Sequence, residues 1–163
     1  MTKQQLIISL KLYKENRAKL RLKLREKERI LRQLEKIKEI ELRTNSFELN
    51  SDIRSKNSIS DKVGNYATDN TDKENNLKLE LETLEAEIIE LNTMIEEIDI
   101  RLDSLKYKER EILIAYYIDG CTYEDIGNRI YFKLFNQTRS TRHIQRMIER
   151  STEKILELRL KMS

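Results

Sequence analysis

From Leu77 onward, apolar residues fall at Leu77, Leu81, Leu84, Ile88, Leu91, Ile95, Ile98, Leu102 and Leu105, in steps that alternate four and three without a miss. An α-helix turns once in about 3.6 residues, so this spacing lays the whole set on one stripe, the seam along which helices supercoil. The positions between are acidic, among them Glu80, Glu82, Glu85, Glu87, Glu90, Glu96 and Glu97. A stripe of this kind is stable in water only when another helix covers it.

The first forty residues carry a looser version of the same pattern. Leu6, Leu10, Tyr13, Leu20, Leu24, Leu31 and Leu34 keep the stepping, with Arg17 and Lys27 interrupting, and the seam then drifts to Ile37 and Ile40. Residues 1–43 hold 14 Lys/Arg against 6 Asp/Glu, and residues 44–106 hold 7 against 15. Opposite charges on two apolar-seamed helices select for their pairing. We therefore expect an antiparallel coiled-coil hairpin over 1–106, with a helix over about 2–43, a polar linker over about 44–76 and a heptad helix over about 77–105. A parallel homo-oligomer through the heptad helix is the competing arrangement. The cations of the first helix read as the balance to the acidic helix, with nucleic acid or an anionic membrane surface as the other readings. The linker is more than half Ser, Thr, Asn and Asp, without a sustained apolar period.

Composition agrees with this architecture. Among 163 residues there are no prolines, no tryptophans and three glycines, and 37% are charged. A β-sandwich needs turn residues at regular intervals, so the fold class expected is all-α. Cys121 and His143 are each the sole residue of their type, which leaves no internal disulfide, argues against zinc and suits a cytoplasmic setting. No apolar run approaches a membrane span, and the N-terminal apolar patch is short for a signal peptide. With no phosphate loop and no isolated carboxylate pair, neither enzymatic chemistry nor a cofactor is expected.

After Leu105 the pattern changes. Ile112, Leu113 and Tyr116 have helical spacing and Gly120 is placed as a stop. Thr122 follows as an N-cap, with Asp125 three residues on approximating a capping box, and a short helix is expected from Tyr123 to about Ile130. A third helix should begin near Ser140 or Thr141. At about 100° per residue, Ile144, Met147, Ile148, Ser151, Ile155 and Leu158 share one face. Arg142, Gln145, Arg146, Glu149 and Arg150 take the opposite arc, with His143 at its edge. Helix, glycine turn, capped helix, third helix is a helix-turn-helix, here a three-helix module over 107–163.

Charge favours a nucleic-acid role for that module. Between Asp125 and Glu149 there is no acidic residue, while Arg129, Lys133, Arg139, Arg142 and Arg146 all fall there. The candidate contacts to double-stranded DNA are Arg139, Ser140, Thr141, Arg142, His143, Gln145, Arg146 and Arg150, with Thr122 and Tyr123 from the preceding cap. Arg and Gln make bidentate bonds to base edges in a major groove, and Arg139 sits where a phosphate would lie. Along the column Arg142, Arg146, Arg150, Lys154 the repulsion should be relieved beyond Arg146 by Glu149, Glu153 and Glu157, while Arg139 and Arg142 have no such relief.

The run Glu109-Arg110-Glu111-Ile112-Leu113, Tyr116, then Gly120-Cys121-Thr122-Tyr123-Glu124-Asp125-Ile126-Gly127 resembles the fourth conserved region of bacterial sigma factors. Arg142 to Leu156 is similar to that family's recognition helix, with Ser151 at its small position and Ile155 or Leu156 at its large one. The resemblance covers roughly 50 residues of the chain. No core-polymerase-binding or −10-reading region is evident, so the chain is closer in kind to phage and prophage late-gene regulators of the ArpU and RinA types. It implies sequence-specific binding of duplex DNA, the third helix in the major groove, and RNA polymerase as a partner. The segment 131–139 departs from the family by lengthening the turn between the second and third helices. Its Tyr131, Phe132, Leu134 and Phe135 read as packing residues that extend the second helix or form a small lobe. A phage small-terminase DNA-recognition subunit and a coiled-coil adaptor without DNA binding are the other readings.

Overall fold

The computed structural model describes residues 1–48 and 60–158, and every regular element among them is helical. In chain order these are α1 (Lys3–Glu48), α2 (Ser60–Asp103), α3 (Tyr107–Leu113), α4 (Tyr123–Asp125), α5 (Tyr131–Phe135) and α6 (Thr141–Glu157). The fold is all-α. None of these helices is long and apolar enough to cross a membrane.

Two helices are longer than their apolar seams. α1 continues to Glu48 and α2 begins at Ser60, so the polar segment expected to link them over 44–76 is largely helical where it is described. The remainder of that linker, 49–59, lies outside the described residues. Ser, Thr, Asn and Asp each cost a helix only about 0.5 kcal/mol relative to alanine, and no proline stands in the way. A nucleated helix can therefore propagate through them.

The chain divides into two compact units, Leu20–Glu90 and Met1–Lys19 together with Leu91–Ser163. This differs from a boundary at 106/107. The reason lies in the core of the second of these units, where Leu113 and Ile155 pack with Leu6, Leu10, Ile98, Leu102 and Leu105. The C-terminal module has a core of its own, formed by Ile112, Ala115, Ile126, Tyr131, Ile144 and Ile148, and shares a second one with the ends of α1 and α2.

Within the unit Leu20–Glu90, Ile30 and Leu34 of α1 bury against Leu84 and Ile88 of α2, flanked by Leu20, Leu77 and Leu81. Lys23 pairs with Glu87, and Lys27 with Glu85 at 2.7 Å. Ascending numbers on α1 meet descending numbers on α2, so the two run in opposite directions here. The α1 seam lies one residue from the strict heptad. Ile30 is buried in place of Leu31, and Leu24 and Leu31 are exposed. In this register Lys23 and Lys27 lie at the seam's edge, their stems half covered and their ammonium groups on glutamates.

In the other unit, the last seam residues, Ile95, Ile98 and Leu102 of α2 and Leu105 just past its end, are all buried. Tyr13 donates its hydroxyl to Asp99 and accepts from Arg17. Burial, and then the Asp99 carboxylate, push the Tyr13 phenol up. Within each unit the α2 stripe is covered by α1 side chains.

Candidate nucleic-acid interface

The C-terminal module assembles from two helical runs and α6. α3 passes without a break into a wider turn, Ile114–Ile118, in which the Asp119 N–H reaches five residues back to the Ile114 carbonyl. Gly120, at φ 71°, then reverses the chain as a stop should. Thr122 caps α4, accepting from the Asp125 N–H at 3.1 Å. The box is only half made. Asp125, a methylene shorter than glutamate, takes the Thr122 hydroxyl at 2.8 Å instead of reaching back to the backbone.

α4 leads through a second wide turn, Ile126–Ile130, into α5, every junction being right-handed helical. The second helix therefore extends to Phe135, further than Ile130. Tyr131 is buried, and Phe135 packs on it at 4.8 Å between ring centres. Tyr107 meets the Phe135 edge and Lys108 lies over its face. Phe132 stays half exposed. Asn136 ends the run at φ 52°, a left-handed position that asparagine tolerates. The turn to α6 is then residues 136–140.

Gly127 sets how closely that turn approaches the second helix. The Arg139 N–H donates to the Gly127 carbonyl at 3.1 Å. A Cβ built on Gly127 would lie 2.3 Å from the Arg139 carbonyl oxygen and 3.5 Å from Ile144 Cγ1. Only glycine permits the approach. In the sequence the one signal for this contact is a glycine inside a helical pattern, which marks close backbone approach.

Ser140 caps α6, accepting weakly from the His143 N–H at 3.4 Å. Ile144, Ile148, Ser151, Thr152 and Ile155 are buried. Thr152 was not expected inside, but its hydroxyl donates to the Ile148 carbonyl at 2.7 Å and so carries no unmet bond. Of the two candidates for the large packing position, Ile155 is fully buried and Leu156 partly so.

The opposite face is open. Arg139, Ser140, Thr141, Arg142, His143, Gln145, Arg146 and Arg150 are all exposed, as is Thr122, while Tyr123 is half buried. Tyr123 stacks on Tyr116 at 4.7 Å. Its hydrogen bond to Tyr116, then burial, then the charges nearby push its phenol up to about 12. Tyr123 is thus committed to the module's own packing, and of the cap residues Thr122 is the freer to meet a ligand. Arg139 lies over the Tyr131 ring at 5.5 Å and donates to Gln137 Oε1 at 2.8 Å, which holds its guanidinium near the start of α6.

Among the described residues, neither Arg142 nor Arg146 nor Arg150 has a carboxylate within ion-pair distance. For Arg142 this is as expected; beyond Arg146, the relief expected from Glu149, Glu153 and Glu157 takes no ion-paired form. Glu149 accepts from Gln145 at 3.2 Å, and Lys154 leaves the column to bind Glu109. Glu109 also accepts from the Lys106 N–H, so one carboxylate ties the start of α3 to α6. The Lys154 ammonium, outweighing partial burial, holds the Glu109 carboxyl below the usual range.

The far end of α6 is fixed from α2. Arg101, with 5% of its surface exposed, donates to the carbonyls of Ile155 and Leu158 and to Glu97. Those carbonyls have no partner within α6, so a cation there satisfies bonds and opposes the negative end of the helix. Nothing local in the sequence singles out Arg101, because the carbonyls it meets lie more than fifty residues away. Comparison with protein-family models, with curated proteins and with solved structures gave no match.

Proposed function

We propose that the chain binds double-stranded DNA sequence-specifically as a phage-type transcriptional regulator, with α6 in the major groove. One observation carries this reading: a column of exposed arginines without carboxylate partners on a helix whose other face and both ends are fixed. Arginines so placed repel one another, and a phosphate backbone and guanine edges would neutralise them. The fixed ends supply the positional precision that base reading requires.

Arg142 and Arg146 are the base-reading residues in this scheme, Gln145 and Arg150 flank them, and His143 lies at the edge. Arg139, Ser140, Thr141 and Thr122 meet phosphates, where helix-start N–H groups and hydroxyls are effective donors. RNA polymerase as partner follows from the sigma-like resemblance.

The test is to select a preferred duplex from a random pool with the full chain, then measure affinity for that site by fluorescence anisotropy. An Arg142→Ala/Arg146→Ala double variant should lose about 1–3 kcal/mol per bidentate contact. Equal affinity of wild type and double variant overturns the assignment of α6.

A further inference from the structure

The cations of α1 divide into two groups. Lys23 and Lys27 face α2 and pair with Glu87 and Glu85. Taking Lys27 as zero at about 100° per residue, Leu20, Lys23, Ile30 and Leu34 fall between about −60° and 20°, the side that packs. Arg21, Arg25, Arg29, Arg32 and Lys36 fall between about 120° and 200°, the side that does not. All five are exposed. The acids of this stretch, Glu26, Glu28 and Glu35, lie outside that arc.

Among the described residues Arg21, Arg25 and Arg29 have no carboxylate within ion-pair distance, and Arg32 reaches Glu28 at only 3.5 Å. Balance against the acidic helix accounts for the lysines and leaves the outward stripe unexplained. The stripe rises about 22 Å over its length, with one cation per turn of about 5.4 Å. Its dominant residue is arginine, whose planar fork matches phosphate oxygens better than an ammonium does.

We infer that this stripe is a second, sequence-independent contact surface for the phosphate backbone of duplex DNA. The inference rests on the DNA-binding reading proposed above and adds a site to it. A duplex presents one charge per about 1.7 Å of axis and asks only for a stiff row of cations. An anionic membrane is the weaker match, because a helix lying in a bilayer surface inserts its apolar face. Here Ile30 and Leu34 of that face are already buried against Leu84 and Ile88.

The experiment uses the full chain with Arg21→Gln, Arg25→Gln and Arg29→Gln combined, beside wild type and the Arg142→Ala/Arg146→Ala variant. Each is titrated with selected-site and random duplex at several salt concentrations, and with phosphatidylserine–phosphatidylcholine vesicles. Circular dichroism confirms that helix content is kept. Loss of three phosphate contacts should lower the slope of log affinity against log salt by about 2.7, with the preference for the selected site unchanged.

An unchanged slope in the α1 variant, with the α6 variant impaired, overturns the stripe and leaves the proposed function standing. Full binding by the α6 variant, with the α1 variant impaired, does the reverse. No duplex binding by wild type overturns both. Vesicle binding that the α1 variant loses, without any change on DNA, assigns the stripe to lipid and overturns the inference as well.

Discussion

Gly127 and Arg139 meet backbone to backbone, the Arg139 N–H on the Gly127 carbonyl and its own carbonyl where a Gly127 side chain would stand. This contact fixes the turn before α6 to the second helix. It makes the presentation of the arginine face depend on a residue that offers a ligand nothing itself.

Gly127→Ala should therefore be costly. The obstructing atom is backbone and cannot swing aside, so the turn must move, at about 1–3 kcal/mol by analogy with overpacked cores. Gly120→Ala is the control. Nothing lies within 4 Å of its added Cβ, and only the left-handed φ of 71° opposes the change, at about 1 kcal/mol. Urea midpoints for both give the stability order. DNA affinity should fall further for Gly127→Ala than its stability loss explains.

Arg139→Ala should leave stability nearly unchanged, since the clamp uses its backbone. On DNA it should weaken selected and random duplexes alike and reduce the salt slope by about 1, the mark of a phosphate contact. Anisotropy titrations at two salt concentrations read both quantities. A loss confined to the selected site would reassign Arg139 to base reading.

Arg101→Ala removes the cap at the end of α6 and leaves the Ile155 carbonyl without its buried donor, which costs about 1–3 kcal/mol. Arg101→Lys should restore only part of this, because one ammonium cannot span two carbonyls and Glu97 as the guanidinium does. Thermal melts rank the three proteins. Amide exchange should show the last turn of α6 opening first in the alanine variant.

The Glu109–Lys154 pair gives the module an acid dependence of definite sign. The folded carboxyl is held below its unfolded value near 4.5, so its stabilising contribution is complete above that pH. It is lost as pH falls through the folded value. Glu109→Gln should therefore be less stable than wild type at pH 7, with the gap closing as pH falls below 4.5. Urea midpoints from pH 7 to pH 3 follow it, and Lys154→Met should reproduce the pattern.

How much of this was legible in the sequence depends on what each feature rests on. The α2 seam could be read because a four–three repeat states its own geometry, and Leu84, Ile88, Ile95, Ile98, Leu102 and Leu105 are all buried. Gly120, Thr122 and Ser140 could be read because stop and cap chemistry is local. The α1 register could not, since Leu31 and Ile30 are equally apolar and only the packed pair with α2 chooses between them. Gly127 and Arg101 act through partners distant in sequence, Arg139 and Ile155, and no local pattern announces either. Of the face on α6, periodicity gave the exposed side correctly but paired its acids wrongly, because Lys154 found Glu109 across the fold.

Leu6 and Leu10 share a core with Leu113 and Ile155, residues more than a hundred positions away along the chain. A contact of that reach forms late, since loop closure must come before any burial is gained. During synthesis α1 leaves the ribosome early and finds most of its cover when α2 emerges, but Leu6 and Leu10 still lack Leu113 and Ile155. The core that holds α6 to the ends of α1 and α2 therefore closes only once Ile155 has emerged.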